Sequence, residues 1–169
     1  MGPRLANIAA VAAALAATLG APASAASITA QAKAKVIKPL VLKSIQDLDL
    51  GTVLLGPGSW SGATVRLSRS GVLSCAASVT CSGATQVAQY NVSGTNNQTV
   101  AISAPNVTLV NQNNASQTLT LVVDSPATVM LSNSGPRGTT FSIGGSITLD
   151  STTPDGDYSG TFQVTAEYQ

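Results

Sequence analysis

Beyond its first two dozen residues the chain alternates apolar and polar side chains in short runs, each broken by Gly, Pro, Asn or Ser. A period of two puts every second side chain on one face of an extended strand, and runs of this kind bounded by turn formers read as strands. Residues 45–55 form one such run, closed by Gly56-Pro57-Gly58. Ala63, Val65 and Leu67 alternate with Thr64, Arg66 and Ser68, and Val72 and Leu73 lead into a cysteine hairpin. Ala88, Tyr90 and Val92 alternate with Gln89 and Asn91. Val100 with Ile102, Val107 with Leu109, and Leu119, Leu121 and Val123 continue the series. Phe141 and Ile143 run into Gly144-Gly145, a turn signal, ahead of Ile147 and Leu149. The last run, Tyr158, Phe162, Val164, Ala166 and Tyr168, falls wholly on even positions and hence on one face. Residues 94–98 and 111–116 read as polar loops, and Trp60, just past a turn, as a core aromatic. Helical periodicity is nowhere sustained over ten residues, and strands at roughly ten-residue spacing predict an all-β sandwich.

The first 25 residues are patterned differently. Arg4, an alanine-rich apolar run over residues 8–19, and Ala23-Ser24-Ala25 have the layout of a signal peptide with its cleavage site. The apolar run is shorter than the roughly 20 residues a membrane-spanning helix needs. The mature chain is expected to start near Ala26, and its length of about 144 residues is that of one domain. Residues 26–38 form an arm ahead of the domain at 39–169. In the arm Ile28, Ala30, Ala32, Ala34 and Val36 alternate with Thr29, Gln31, Lys33 and Lys35. Alanine favours helices, but a helix would scatter these apolar residues around its axis, so the alternation argues for an extended strand with one apolar side. Pro39 marks a bend between arm and domain. The arm could pair within its own sheet or serve another chain, and pattern alone leaves these two even.

Charge adds one asymmetry. Only 9% of residues are charged, against roughly 25% in an average soluble domain. After the leader, Lys33, Lys35, Lys38, Lys43, Arg66, Arg69 and Arg137 balance Asp47, Asp49, Asp124, Asp150, Asp155, Asp157 and Glu167. That balance gives no field to attract nucleic acid. All four lysines fall within residues 33–43, whereas four of the acids fall within 150–167.

The chemistry of enzymes has little to stand on. Histidine is absent, which removes the commonest base and metal ligand. No phosphate-binding glycine loop and no Gly-x-Ser-x-Gly occurs. Asp155-Gly156-Asp157 offers too few oxygen ligands for calcium and reads as a turn. No catalytic residue, cofactor or metal is assigned. Sequons at Asn91, Asn97, Asn106 and Asn114 would matter only in a eukaryotic secretory pathway. Cys75 and Cys81, in an exported chain, are expected to form a disulfide.

The closing strand carries the strongest resemblance. The stretch Asp155-Gly156-Asp157-Tyr158-Ser159-Gly160-Thr161-Phe162-Gln163-Val164-Thr165-Ala166-Glu167-Tyr168-Gln169 is similar to the final strand of chaperone–usher fimbrial subunits, with Tyr168 as the penultimate tyrosine and Gly156 or Gly160 as the glycine one strand earlier. Asp47-Leu48-Asp49-Leu50-Gly51-Thr52-Val53, Phe141-Ser142-Ile143-Gly144-Gly145 and Gly160-Thr161-Phe162, in that order, resemble the bacterial domain-of-unknown-function family 4402. The alanine-rich arm and the short Cys75–Cys81 loop depart from many fimbrial subunits.

The resemblance implies an immunoglobulin-like sandwich that is one strand short. It is completed when the arm of a neighbouring copy (Ile28, Ala30, Ala32, Ala34, Val36) enters beside Phe162, Val164, Ala166 and Tyr168. A sandwich ending on an amphipathic strand would leave that edge and groove open. The implied partners are copies of the chain in a filament, a periplasmic chaperone that holds the edge first, an outer-membrane usher, and a host or abiotic surface. The implied location is the periplasm and then the cell surface, as a pilus serving adhesion or biofilm formation. The competing expectation is a monomeric secreted β-sandwich that binds a glycan or a protein.

Overall fold

The computed structural model describes residues 25–133, 135 and 137–169. The leader expected over residues 1–25 lies, except for Ala25, outside the described residues. The chain divides at Lys35/Val36 into two units. In the first unit, residues 25–35 belong to no strand and are exposed, Ile28 at 96%. The segment expected as a strand over residues 28–36 therefore carries no ladder. Alternation prepares a segment for a sheet, but a strand exists only once its backbone groups are paired.

The second unit, residues 36–169, is an all-β sandwich of thirteen strands with no helix among the described residues. Its spine is the eleven-residue β11 (Thr139–Leu149). The first half of β11 pairs with β6 (Ala88–Ser93), which carries β1 (Val41–Gln46) on its far side. The second half lies between β3 (Ala63–Leu67) and β9 (Thr118–Asp124). β4 (Leu73–Cys75) continues from β3, while β8 (Val107–Asn111) and β12 (Tyr158–Ser159) continue from β9. All of these pairs are antiparallel and together form one large sheet. Two small sheets make the other layer. One has the order β10 (Thr128–Met130), β7 (Thr99–Ser103), β13 (Thr165–Tyr168); the other pairs β2 (Thr52–Leu55) with β5 (Val79–Ser82).

Each small sheet closes over its own apolar cluster. Ala88, Val92, Val100, Ile102, Leu131, Phe141 and Ile143 are buried between the β1–β6–β11 region and the β10–β7–β13 sheet. Ala63, Val65, Val79, Leu121, Ile147 and Leu149 are buried between the β3–β11–β9 region and the β2–β5 pair. Leu48, Val123 and Phe162 touch both clusters. The alternation read along β3, β6 and β9 is thus the alternation between core and solvent. Trp60 is half-buried against the second cluster and donates its indole N–H to the Gly56 carbonyl at 3.1 Å, as a core aromatic with a polar tip should. The Cys75–Cys81 disulfide ties β4 of the large sheet to β5 of the small one.

Two expectations about turns are corrected. Residues 45–55 are not one strand: β1 ends at Gln46 and β2 begins at Thr52. Between them Asp49 bridges Gln86, and its carboxylate accepts the Gly51 N–H at 2.8 Å, with Gly51 at φ 73°. Gly144-Gly145, read as a turn, sits inside β11 where its pairing passes from β6 to β3. A Cβ on Gly144 would collide with the Leu67 carbonyl oxygen and lie 2.9 Å from the Arg69 nitrogen. These glycines permit close approach of another strand; they do not reverse the chain.

Candidate functional site

The expected acceptor residues come together along β13. Ala166 and Tyr168 lie on it, Phe162 and Val164 on the irregular stretch before it, and all four pack against the first apolar cluster. Gly160 starts that stretch pressed onto β8, where a Cβ would come within 2.7 Å of the Thr108 carbonyl oxygen. β13 pairs residue for residue with β7, from Thr165 opposite Ser103 to Tyr168 opposite Val100. Among the described residues β7 is its one strand partner, so its other edge presents unpaired backbone groups.

The same flank of the sandwich has a second edge. β10 contacts β11, and β7 and β13 follow β10 in one layer as β6 and β1 follow β11 in the other. β1 and β13 are therefore the two edges on one side of the first cluster. From β1's side Leu40 and Leu42 reach the cluster. Val92, Val100 and Ile143, mid-layer, are 0% exposed. Leu40, Leu42, Phe162, Val164, Ala166 and Tyr168 are only half-buried. The result is an apolar row between two edges that, among the described residues, pair with no further strand.

One end of this flank is closed by Tyr168. Its hydroxyl accepts the Thr95 N–H and donates to the Lys38 carbonyl, each at 2.7 Å, and the Lys38 N–H returns to Thr95 Oγ1 at 2.7 Å. This ring of hydrogen bonds ties the start of β1 to the end of β13. It needs Gly94, because a Cβ there would collide with the Tyr168 hydroxyl. Gly94 and Thr95 went unrecognised in a stretch that reads as an ordinary polar loop. Only the fold places them under a tyrosine 73 residues away.

The acids near the end of the chain separate. Asp155 and Asp157 lie in the turn around β12, their carbonyls taking hydrogen bonds from Asn111 Nδ2 at 2.9 Å and the Gln112 N–H at 2.8 Å. That turn is therefore fixed to the end of β8, with Gly156 at φ 144° packed on the Asn111 amide. Asn111, read as the start of a polar loop, is 1% exposed and anchors it. Its Nδ2 also donates to Gln117 Oε1 at 2.8 Å, and its Oδ1 accepts the Asn113 N–H at 2.9 Å. Glu167 alone of these acids lies on β13, exposed on its outer face. On the β1 side, Tyr90 stacks on Phe141 with centroids 5.8 Å apart. Its phenol is raised above the ordinary value of 10.0, first by burial, then by the charge of Asp47, against a hydrogen bond with Ser44.

The site is thus the edge of a small sheet: among the described residues β13 ends its sheet, with backbone donors and acceptors over an apolar row, a chemistry suited to receiving another strand. No curated protein and no solved structure matches this sequence. The model of the family described as Domain of unknown function (DUF4402) matches residues 40–168, from the residue before β1 to the last residue of β13, and the chain belongs to that family.

Proposed function

We propose that the chain is a structural subunit of a bacterial surface pilus, assembled by donor-strand exchange. In this reading the arm of one copy, residues 26–38, adds a strand beside β13 of the next. The observation that carries it is the flank between β1 and β13: an unpaired edge over half-buried Phe162, Val164, Ala166 and Tyr168. The arm has the complementary form. Its apolar ends, Ile28 and Val36, are 96% and 90% exposed, and burying either in the flank would contribute roughly 1.5–3 kcal/mol. Each backbone hydrogen bond gained along β13 would add about 0.5–1.5 kcal/mol net. The alanines between suit a shallow groove. Export to the periplasm, a chaperone covering the edge before assembly, an outer-membrane usher and adhesion at the cell surface belong to the same proposal.

Deleting residues 27–37 tests it. Loss of filaments, with the mature domain still folded, is the expected result; filaments from the deleted chain would refute the arm's role. Ala32→Asp, which puts an unpartnered charge against the apolar row, should block assembly as well. A stable monomer whose β13 amides are protected from exchange on both edges would favour the monomeric binding domain instead.

A further inference from the structure

A strand that joins an edge must choose both a facing and a register. Facing is settled by the alternation in the arm. A slip of one residue would turn Lys33 and Lys35 onto the apolar row and Ala30, Ala32 and Ala34 outward, at the cost of a buried charge. A slip of two meets no such penalty. Ala30, Ala32 and Ala34 are the same side chain at three successive inward positions, so sliding by two replaces alanine with alanine along the middle of the arm. Apolar packing leaves neighbouring registers nearly equal there, the situation in which paired strands slip.

The outer row of side chains removes the tie. On β13 it reads Thr165 and Glu167, and the facing residues of β7, Ser103 and Ala101, are neutral. The ion pairs of Arg66 and Arg69 both go to Asp124 on β9, in the other layer. Glu167 is therefore the one charge on the outer face of β13. On the arm the outward residues are Thr29, Gln31, Lys33 and Lys35, neutral in one half and basic in the other. Opposite charges directly across a strand pair stabilise it, and like charges destabilise it.

We propose that Glu167 sets the register of the incoming arm by facing Lys33 of the neighbouring copy, with Lys35 on the diagonal; this rests on the donor-strand reading above. With Lys33 opposite Glu167, Ala32 and Ala34 meet Ala166 and Tyr168 whichever way the arm runs. A two-residue slip that brought Lys35 opposite would push Val36 against one of these, beside a tyrosine ring already held at its hydroxyl.

The test uses the mature full-length protein at low salt, following polymer formation by size-exclusion chromatography. Glu167→Lys and Lys33→Glu should each slow polymerisation on the order of tenfold, since an exposed pair changes an equilibrium by up to about fivefold and reversal turns attraction into repulsion. The double exchange, K33E with E167K, should restore the wild-type rate to within about twofold, and 0.5 M salt should narrow all differences. In polymers mixed from isotopically light and heavy protein, a zero-length carbodiimide cross-link should join Glu167 of one copy to Lys33 of another. Single variants that polymerise at the wild-type rate, no rescue in the double variant, or a cross-link to Lys35 alone would overturn the register assignment. The deletion of residues 27–37 runs beside them. If it abolishes polymer while the charge variants do nothing, the register idea falls and the donor-strand reading stands; if it leaves polymer intact, both fall. Glu167 is exposed, so unchanged thermal unfolding of the monomers confirms that the variants fold.

Discussion

Gly94→Ala is a one-carbon perturbation whose effect should depend on a tyrosine far along the chain. Gly94 does not adopt a positive φ, so alanine brings no backbone strain there. It brings a Cβ into the Tyr168 hydroxyl, 2.9 Å from Leu40 Cδ2 and 3.0 Å from Leu131 Cδ1. Overpacking of this kind costs about 1–3 kcal/mol. Tyr168→Phe removes one hydrogen bond accepted from Thr95 and one donated to Lys38, at about 0.5–1.5 kcal/mol each. The two costs overlap, because the phenylalanine withdraws the atom that the new Cβ strikes. Only the leucine contacts then remain, and both are ends of flexible side chains. Each single variant should lose about 2 kcal/mol, and the double variant about 3 kcal/mol rather than 4. Urea unfolding of the four proteins, followed by the fluorescence of half-buried Trp60, measures this. Losses that add to within about 0.5 kcal/mol would mean that Gly94 and Tyr168 do not share the space described, and the closed end of the flank would lose its explanation.

Three other expectations follow from single groups. Asn111→Ala should cost about 2–4 kcal/mol by chemical denaturation, since it strips three side-chain hydrogen bonds from a buried site and frees the 111–117 loop from the turn at Asp155. Reducing the Cys75–Cys81 disulfide, which closes a loop of six-residue separation, should cost about 2 kcal/mol, seen as a lower urea midpoint in dithiothreitol. Asp150 is held below the ordinary carboxylate value by hydrogen bonds from the Thr152 hydroxyl and N–H, with smaller help from Thr153. A depressed folded value means that its contribution is present above the unfolded pKa of about 4 and is lost as pH falls through the folded one. The amide resonances of Thr152 and Thr153 should therefore titrate with a midpoint below 3.8, and a midpoint at or above it would count against the turn.

Strand identity was legible in the sequence wherever a face is buried, because burial and alternation are the same fact seen twice. Ala63, Val65 and Leu67, or Ala88 and Val92, are buried and alternate with polar neighbours. The apolar row along and before β13 was legible for that reason too. Phe162, Val164, Ala166 and Tyr168 keep one parity through a stretch that is only partly strand. What was hidden depends on contacts distant in sequence. A glycine pair looks alike in a hairpin and inside β11, and only the approach of Leu67 tells them apart. An asparagine in a polar stretch gives no local sign that it will be buried, as Asn111 is. The break between β1 and β2, where the Gly51 N–H donates to the Asp49 carboxylate, is marked by a single glycine, a signal weaker than the Gly-Pro-Gly that follows.

Two apolar clusters in one sandwich invite sequential melting, the weaker half first. Leu48, Val123 and Phe162 work against that, because each belongs to both clusters and cannot leave one without loosening the other. β11 adds covalent continuity by running through both. Heat should therefore produce one calorimetric transition. Phe162 also lies beside β13, so any contact that immobilised its ring there would be felt in the other half of the sandwich as well, as slower hydrogen exchange in the β2–β5 pair.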